Sequence, residues 1–221
     1  MPTCTAILVA SGTSRRMGFD KLAADLGGKP VLRVTLDAFL ACEDVTRILV
    51  VAPAERFESL RASGSFAKPV VRVDGGRERQ DSVLAGLNAL DPEEKWVAVH
   101  DGARPLVTPA DIARTLAAAG ESGAATLARP ISETIKRADG DGFTRSGISR
   151  DNLWHTETPQ IFRSDLLRRA YREISRRGLQ VTDEVSAMET IDVHTKLLIA
   201  ESPNIKITRP DDLALARATL D

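Results

Sequence analysis

Cations and small residues stand together in one segment near the N-terminus of the chain. Arg15, Arg16 and Lys21 follow a run of small residues at positions 11–14, directly after a short apolar stretch. Small residues allow backbone N–H groups to approach phosphate oxygens, while Arg and Lys side chains neutralise phosphate charge. The spacing matches neither the Gly-x-Gly-x-x-Gly nor the Walker A pattern. The segment predicts a binding loop for a polyphosphate, the alternative being a surface loop whose cations are only solvated.

A double glycine marks a second segment of interest. Gly75 and Gly76 follow an apolar stretch at residues 70–73 and precede a helical pattern that begins near Ser82. Because glycine has no Cβ, it permits close approach by a flat group such as a nucleotide base. Ser82 would either contact that base or cap the helix. The pattern therefore fits a base pocket or an ordinary strand-to-helix turn.

An aspartate terminates a third apolar stretch. Asp101 can hold a cation or a sugar hydroxyl there, and Arg104 just beyond it suits a phosphate. The alternative role for Asp101 is that of a turn former or a helix cap. His100 continues the apolar strand residues 96–99, so we predict a buried structural histidine.

Short apolar runs alternate with amphipathic segments and would position these residues. Continuous apolar runs predict buried strands, and a 3.6-residue period predicts helices. Strands are predicted at residues 5–10, 48–51, 70–73, 96–99, 196–200 and 205–207, and helices near 32–40, 54–62, 81–90, 112–119, 165–176, 183–190 and after 210. This alternation is typical of a three-layer α/β/α fold with a mostly parallel, twisted sheet. Ligands bind to such sheets beyond the carboxyl ends of the strands, where all three segments fall.

The succession of predicted strands and helices is interrupted at residues 131–153. This segment is polar, with an alternating pattern of side chains around Asp139-Gly140-Asp141-Gly142. This pattern predicts a β-hairpin that projects from the sheet as an arm. A two-stranded arm is marginal alone in water and needs something to pack on, and we expect a second copy of the chain. The division predicted is one domain, residues 1–221, with residues 131–153 as a dimerisation arm.

Composition excludes several classes of protein. The 221 residues are 43% hydrophobic and 28% charged, as in ordinary globular chains, and the net charge of −1 gives no field for nucleic acid or a membrane surface. No window approaches the roughly 18 apolar residues of a membrane span. Cys4 and Cys42 form no Cys-x-x-Cys pair or Cys/His cluster, which excludes a zinc ribbon and a disulfide scaffold. We expect a cytoplasmic protein.

Taken together, these segments resemble the 2-C-methyl-D-erythritol 4-phosphate cytidylyltransferases, nucleotidyltransferases of the non-mevalonate route to isoprenoids. The resemblance spans nearly the whole chain and depends on the order and spacing of its motifs. The motifs are residues 11–21, 75–76, 79–83, 100–101, 103–105, 134–137, 150, 154–155, 158–160, 182–184 and 204–208, and Gly102 stands where the family usually has alanine. The resemblance implies that CTP and 2-C-methyl-D-erythritol 4-phosphate react to 4-diphosphocytidyl-2-C-methyl-D-erythritol and pyrophosphate. It also implies a homodimer clasped through the arm and a divalent metal, normally magnesium.

The resemblance assigns roles to individual residues. Arg16, Lys21 and Lys206 would be catalytic, with Lys21 at the α-phosphate of CTP, and Asp101 would serve the ribose or the metal. The substrate-binding residues it implies are Ala10, Ser11, Gly12, Gly75, Gly76, Ser82, Asp101, Arg104, Thr134, Arg150, Thr158 and Thr182. Of these, Thr134 and Arg150 would act across the dimer, in the site of the other copy.

The first loop departs from the family pattern. The usual Gly-x-Gly is Gly12-Thr13-Ser14, and the usual Pro-Lys-Gln is Asp20-Lys21-Leu22 on a shortened loop. This loop is more similar to that of the molybdenum-cofactor nucleotidyltransferases. The ribitol 5-phosphate cytidylyltransferases, which share the Thr-Pro-Gln motif, are a second alternative. A CTP-binding sensor without turnover is a third.

Overall fold

The structure is a computed structural model that describes residues 2–12 and 17–220. Its strands are β1 (Cys4–Val9), β2 (Asp25–Leu26), β3 (Lys29–Pro30), β4 (Val45–Val51), β5 (Val70–Val73), β6 (Trp96–Asp101), β7 (Ala124–Pro130), β8 (Ile135–Ala138), β9 (Thr144–Ile148), β10 (Trp154–Arg163) and β11 (Lys196–Ile199). Its helices are α1 (Val31–Ala41), α2 (Ala54–Ala62), α3 (Arg79–Asn88), α4 (Pro109–Ser122), α5 (Ser164–Arg177), α6 (Glu184–Glu189) and α7 (Pro210–Leu220). In this part of the chain, no helix combines the length and apolarity that a bilayer crossing requires.

The fold is built around one central β-sheet. Over the described residues it has seven strands in the order β11-β7-β10-β6-β1-β4-β5. Every neighbouring pair is parallel except the two that β10 makes, which are antiparallel. The mostly parallel α/β sheet predicted from the alternating pattern is therefore confirmed.

Helices cover both faces of the sheet, because the inner strands are apolar on both sides. In β1, Ala6 and Leu8 join a core with residues of α1, α4 and α7, whereas Ile7 packs in the core on the opposite face with residues of α3 and α5. These strand residues are all 0% exposed. Burial on both faces explains why β1 reads as a continuous apolar run and not as an alternating one.

The predicted arm forms a separate two-stranded sheet. Strands β8 and β9 pair antiparallel, with Ile135 opposite Ile148. Most residues of the hairpin are exposed, and Phe143 near its tip is 71% exposed. The hairpin therefore gains little stability by packing on its own chain.

One predicted strand does not form, and strands β7 and β10 have no counterpart among the predicted ones. The strand predicted at residues 205–207 is wrong: this segment is irregular, and Ile207 N–H donates to the carbonyl of Ala103 at 2.8 Å. Strand β10 lacks a clear sequence signal, because Glu157, Thr158 and Gln160 are polar and Pro159 coincides with a register shift. Proline inside a run ordinarily argues against a central strand.

Candidate active site

A crevice opens at the carboxyl end of the sheet. The parallel register of β1 and β6 places Val9 beside Asp101, so the loops that follow these strands meet. A cavity of about 500 Å³ lies between them, a size that suits a nucleotide. The described residues that line it are Val9, Ala10, Ser11, Gly12, Lys21, Leu22, Gly76, Arg77, Glu78, Arg79, Asp101, Ala103 and Lys206. Segments far apart in the sequence thus converge here, as the strand-end argument predicted.

Lys21 and Lys206 lie at the same end of this crevice. The Lys21 ammonium donates to the carbonyl oxygen of Ile207 at 2.7 Å, and Ile207 directly follows Lys206. The shortened loop therefore still brings Lys21 to the segment that carries the second lysine. Arg16, the third predicted catalytic cation, lies outside the described residues.

Ser82 fastens the loop after β1 to the loop after β5. Its Oγ lies 2.7 Å from the Ser11 Oγ and 3.2 Å from the backbone nitrogen of Gly76, which donates to it. Ser82 also donates to the carbonyl of Glu78 at 3.2 Å and is 0% exposed. Since its hydroxyl is committed to protein partners, Ser82 shapes the predicted base pocket from behind.

The double glycine is required by close approach of the backbone. A Cβ on Gly75 would lie 2.5 Å from the Ser11 Cβ, and a Cβ on Gly76 would lie 2.2 Å from the Asp81 Cβ. Asp81 belongs to the capping box of α3, where its carboxylate accepts from the backbone nitrogen of Glu78 at 3.0 Å. Any side chain at Gly76 would therefore disturb both the turn and the start of α3.

Asp101 is surrounded by cations. Its Oδ1 accepts from Arg79 Nε at 3.1 Å, its Oδ2 pairs with Lys206 Nζ at 2.7 Å, and Arg104 Nε lies 3.8 Å from Oδ2. Burial alone would raise the pKa of Asp101, but the charges of Arg79 and Lys206 outweigh it and hold the pKa well below its usual range. Asp101 is therefore ionised at neutral pH and gathers positive charge at the crevice floor.

Arg79 is itself held by a buried carboxylate. Its two terminal nitrogens donate to the two oxygens of Glu184 at 2.8 and 2.9 Å, and the Tyr171 hydroxyl donates to Oε1 at 3.0 Å. Burial opposes the charge of Arg79, yet Glu184 and Asp101 raise its pKa above the ordinary value. Such a bidentate pair fixes the guanidinium plane and, through it, the carboxylate of Asp101.

A relay of hydrogen bonds supports Asp101 from below. The Asp101 N–H donates to Thr158 Oγ1 at 3.1 Å, and this hydroxyl lies 3.0 Å from His100 Nδ1. His100 Nε2 lies 3.1 Å from the Arg104 carbonyl, which can only accept. All three hydrogen bonds form together when Nε2 carries the proton and Nδ1 accepts from the Thr158 hydroxyl. Thr158 is 3% exposed, so it positions Asp101 and is shielded from a ligand in the crevice.

Other predicted site residues lie away from the crevice. Thr134 and Arg150 are exposed in the arm region, where Arg150 donates to the carbonyl of Ser132. Thr182 is exposed just before α6. Arg104 does not line the cavity: its Nη1 donates to the carbonyl of Asn204 at 2.8 Å. The structure therefore joins the nucleotide-side residues and Lys206, but not the arm residues, within one chain.

The crevice offers few carboxylates that could bind a metal ion. Within residues 2–12 and 17–220, no group of three His, Cys, Asp or Glu side chains is arranged to hold a metal ion. Mg²⁺ commonly takes one or two carboxylates together with substrate phosphates and water. Asp101 fits that pattern as a single donor, in competition with Lys206.

Comparison with known proteins identifies the family. The family model described as 2-C-methyl-D-erythritol 4-phosphate cytidylyltransferase matches residues 4–221. A protein of that name from Pelotomaculum thermopropionicum is 40% identical over 227 residues, covering 100% of this chain and 95% of its own length.

Solved structures agree with this match. The 4-diphosphocytidyl-2C-methyl-D-erythritol synthase from Anaerococcus prevotii has a TM-score of 0.86 and 28% identity, covering 99% of this chain and 96% of its own. The 2-C-methyl-D-erythritol 4-phosphate cytidylyltransferase from Francisella tularensis has a TM-score of 0.85 and 30% identity, with coverage of 98% and 100%. Because the matches extend from the loop after β1 past Lys206, and so over both sides of the crevice, the chain belongs to the 2-C-methyl-D-erythritol 4-phosphate cytidylyltransferase family.

Proposed function

We propose that this chain transfers the cytidylyl group of CTP to the phosphate of 2-C-methyl-D-erythritol 4-phosphate, releasing pyrophosphate. The observation that carries this proposal is the convergence of Lys21 and Lys206 at one end of a nucleotide-sized crevice. Two phosphorylated substrates repel each other, so their contact requires fixed positive charge at the point where they meet. Family membership supports the same reaction and ranks it above the ribitol phosphate, molybdenum-cofactor and sensor alternatives.

The reaction we infer is an in-line displacement without a covalent enzyme intermediate. An oxygen of the acceptor phosphate attacks the α-phosphorus of CTP, and the bond to pyrophosphate breaks. The second pKa of a phosphate monoester is about 6, so the acceptor is largely a dianion at pH 7 and a general base would add little. Lys21, Lys206 and, by resemblance, Arg16 stabilise the charge that develops on the phosphoryl oxygens.

Asp101 has two tasks in this scheme. Its carboxylate orients Lys206 through the 2.7 Å contact, and we infer that it also meets the ribose or a magnesium ion that enters with the triphosphate. That ion, when bound, neutralises phosphate charge. Arg79, locked on Glu184, keeps the Asp101 carboxylate in place when Lys206 turns toward the acceptor.

We propose that the acceptor side of each site is completed by the arm of a second copy. Thr134 and Arg150 are solvent-exposed and do not line the crevice of their own chain, which supports an action across a homodimer. The unit is then one domain, residues 1–221, with residues 131–153 as the dimerisation arm. A cytoplasmic location agrees with the free thiols of Cys4 and Cys42.

Pyrophosphate release tests the reaction and its alternatives together. The purified chain is incubated with CTP and Mg²⁺ and with 2-C-methyl-D-erythritol 4-phosphate, ribitol 5-phosphate or no acceptor. We expect release with the first acceptor only. Release with ribitol 5-phosphate alone would favour the rival transferase, and CTP binding without release would favour a sensor.

The Lys21→Ala variant tests the proposed role of that lysine. Loss of one preorganised charged donor costs about 2.7–4 kcal/mol of transition-state stabilisation, or roughly 100- to 1,000-fold in kcat. We expect a loss on that scale with the fold retained, measured by steady-state kinetics and circular dichroism. A decrease of less than about fivefold would contradict placement of Lys21 at the α-phosphate.

A further inference from the structure

Asp20 organises the turn that presents Lys21. Its Oδ1 accepts a hydrogen bond from the backbone nitrogen of Leu22 at 3.1 Å, and its carbonyl accepts from Ala23 N at 3.2 Å. The Leu22 side chain is buried at 4% exposure. The residues on both sides of Lys21 are thus fixed, and the Lys21 side chain extends to the carbonyl of Ile207.

Arg56, near the start of α2, connects this turn to the end of β1. Its Nε and Nη2 both donate to Asp20 Oδ2, at 3.2 and 2.9 Å. Its Nη1 donates to the carbonyl of Ala10, the residue that follows β1 at the edge of the crevice. The Arg56 side chain is only 15% exposed, so this guanidinium is largely withdrawn from solvent. A single side chain therefore joins the crevice wall to the turn that carries the catalytic lysine.

Arg56 itself lies behind the substrate crevice. It lines a separate cavity of about 310 Å³ together with Leu22, Pro53 and Leu60, and it is not among the residues that line the crevice. A direct contact of Arg56 with a phosphate therefore does not follow from its place in the fold. Within the part of the chain that the structure describes, the polar contacts of Arg56 toward the site are those with Asp20 and Ala10.

We propose that Arg56 and Asp20 form a clamp that positions the Lys21 ammonium for transition-state stabilisation, with Arg56 as a positioning residue. The inference rests on the proposed function. Asp20 stands where the family pattern has proline, whose ring fixes the backbone angle φ by itself. An aspartate has no such restriction, so the turn depends on the hydrogen bonds that the carboxylate makes. The clamp supplies the rigidity that this shortened loop does not obtain from a proline.

The test is a kinetic comparison of Arg56→Met in two backgrounds. Misplacement of a catalytic group by about 1 Å costs up to roughly 100-fold. In the wild-type background we expect kcat to fall about 10- to 100-fold, with the KM for CTP changed less than about threefold. In the Lys21→Ala background the same substitution should change kcat less than about twofold, because the group that the clamp positions is already absent. Asp20→Asn should reproduce part of the kcat loss.

Arg61→Met is the matched control. Arg61 lies on the same helix, where it pairs with Glu58 at 3.6 Å and is 61% exposed, so we expect wild-type kinetics from this variant. Arg56→Lys, which keeps the charge but not the fork, replaces Arg56→Met if the latter unfolds in thermal denaturation.

Three results separate the clamp from its alternatives. An equal kcat loss in both backgrounds would show that Arg56 acts independently of Lys21 and would overturn the proposal. A change in the KM for CTP alone would assign Arg56 to ground-state binding and would also overturn it. If the wild-type chain releases no pyrophosphate, the proposed function fails first, and the clamp fails with it.

Discussion

His100 contributes to the site as a neutral group. It is fully buried one residue before Asp101, and burial lowers its pKa from 6.5 to about 3. Protonation would remove the acceptor at Nδ1 that receives the Thr158 hydroxyl, and with it the relay to the Asp101 backbone. With its pKa lowered to about 3, His100 is neutral at pH 7, and the relay is intact there.

A dependence of stability on pH follows from this histidine. Between pH 6.5 and about 3 the unfolded chain binds a proton at His100 that the folded chain does not bind. The free energy of unfolding is therefore highest above pH 6.5, where His100 is neutral in both states. It decreases as the pH falls, by about 2 kcal/mol at pH 5. Urea unfolding at pH 7 and pH 5 measures it.

His100→Gln provides the comparison for that measurement. The pH-dependent loss of unfolding free energy should be smaller in this variant by about 2 kcal/mol, because glutamine does not titrate. His155 and His194 are common to both proteins and cancel. Equal losses in the two proteins would show that His100 titrates normally in the folded state.

At the scale of residues, the sequence predicts those site residues whose position follows from the end of a strand. Lys21, Asp101 and Gly76 line the crevice, and Gly75 lies beside it against Ser11. Arg79 and Glu184 received no role, because their contact joins positions 105 residues apart and neither neighbourhood signals it. The Arg56–Asp20 contact was missed for the same reason: its 36-residue separation carries no periodic pattern.

Among the elements, the turn from β5 into α3 leaves no room for a side chain at Gly76. At Gly76 an added Cβ would also lie 3.1 Å from the backbone carbon of Asp81, so relief requires movement of the helix start. The strand ends before this turn and the capping box begins after it, which leaves few bonds able to absorb the shift. Overpacking of this kind costs about 1–3 kcal/mol.

Gly76→Ala should therefore lower the free energy of unfolding by about 1–3 kcal/mol and raise the KM for CTP. Both effects arise because the loop that borders the base pocket must move away from α3. Gly140→Ala, at the arm tip, is the control, since its Cβ would meet nothing within 4 Å. Equal behaviour of the two variants in urea unfolding and CTP kinetics would contradict the steric argument.

Element prediction succeeded where burial leaves a pattern. Continuous apolar runs located β1, β4 and β6, because these strands are buried on both faces. Strand β10 carries no such apolar run, because its buried residues include polar ones whose hydrogen-bond partners lie in other elements: Gln160 binds Asp183, and Glu157 binds Arg129. Such satisfaction of buried polar groups is a tertiary property and leaves no periodicity in the sequence.

At the scale of the whole molecule, the proposed dimer makes two sites that each draw on two chains. A chain with Lys21→Ala and a chain with Arg150→Ala would each be inactive alone. In a mixed dimer, one of the two sites would hold both wild-type groups. Co-expression in equal amounts should restore roughly a quarter of the wild-type activity, because half of the dimers are mixed and half of their sites are intact.

Arg145→Ala alone controls for general damage to the arm. Arg145 pairs with Asp139 at 2.6 Å at the exposed tip, and its loss should leave activity near the wild-type level. If isolated mixed dimers show no activity, Arg150 acts in the active site of its own chain and not in that of its partner.

The position of β10 bears on how the chain folds during synthesis. This strand fills the gap between β6 and β7, yet it is made after both of them. Until residue 163 leaves the ribosome, β6 and β7 each present an unpaired inner edge, and such edges attract other chains. A chain that ends within the arm therefore lacks the strand that joins the two halves of its central sheet.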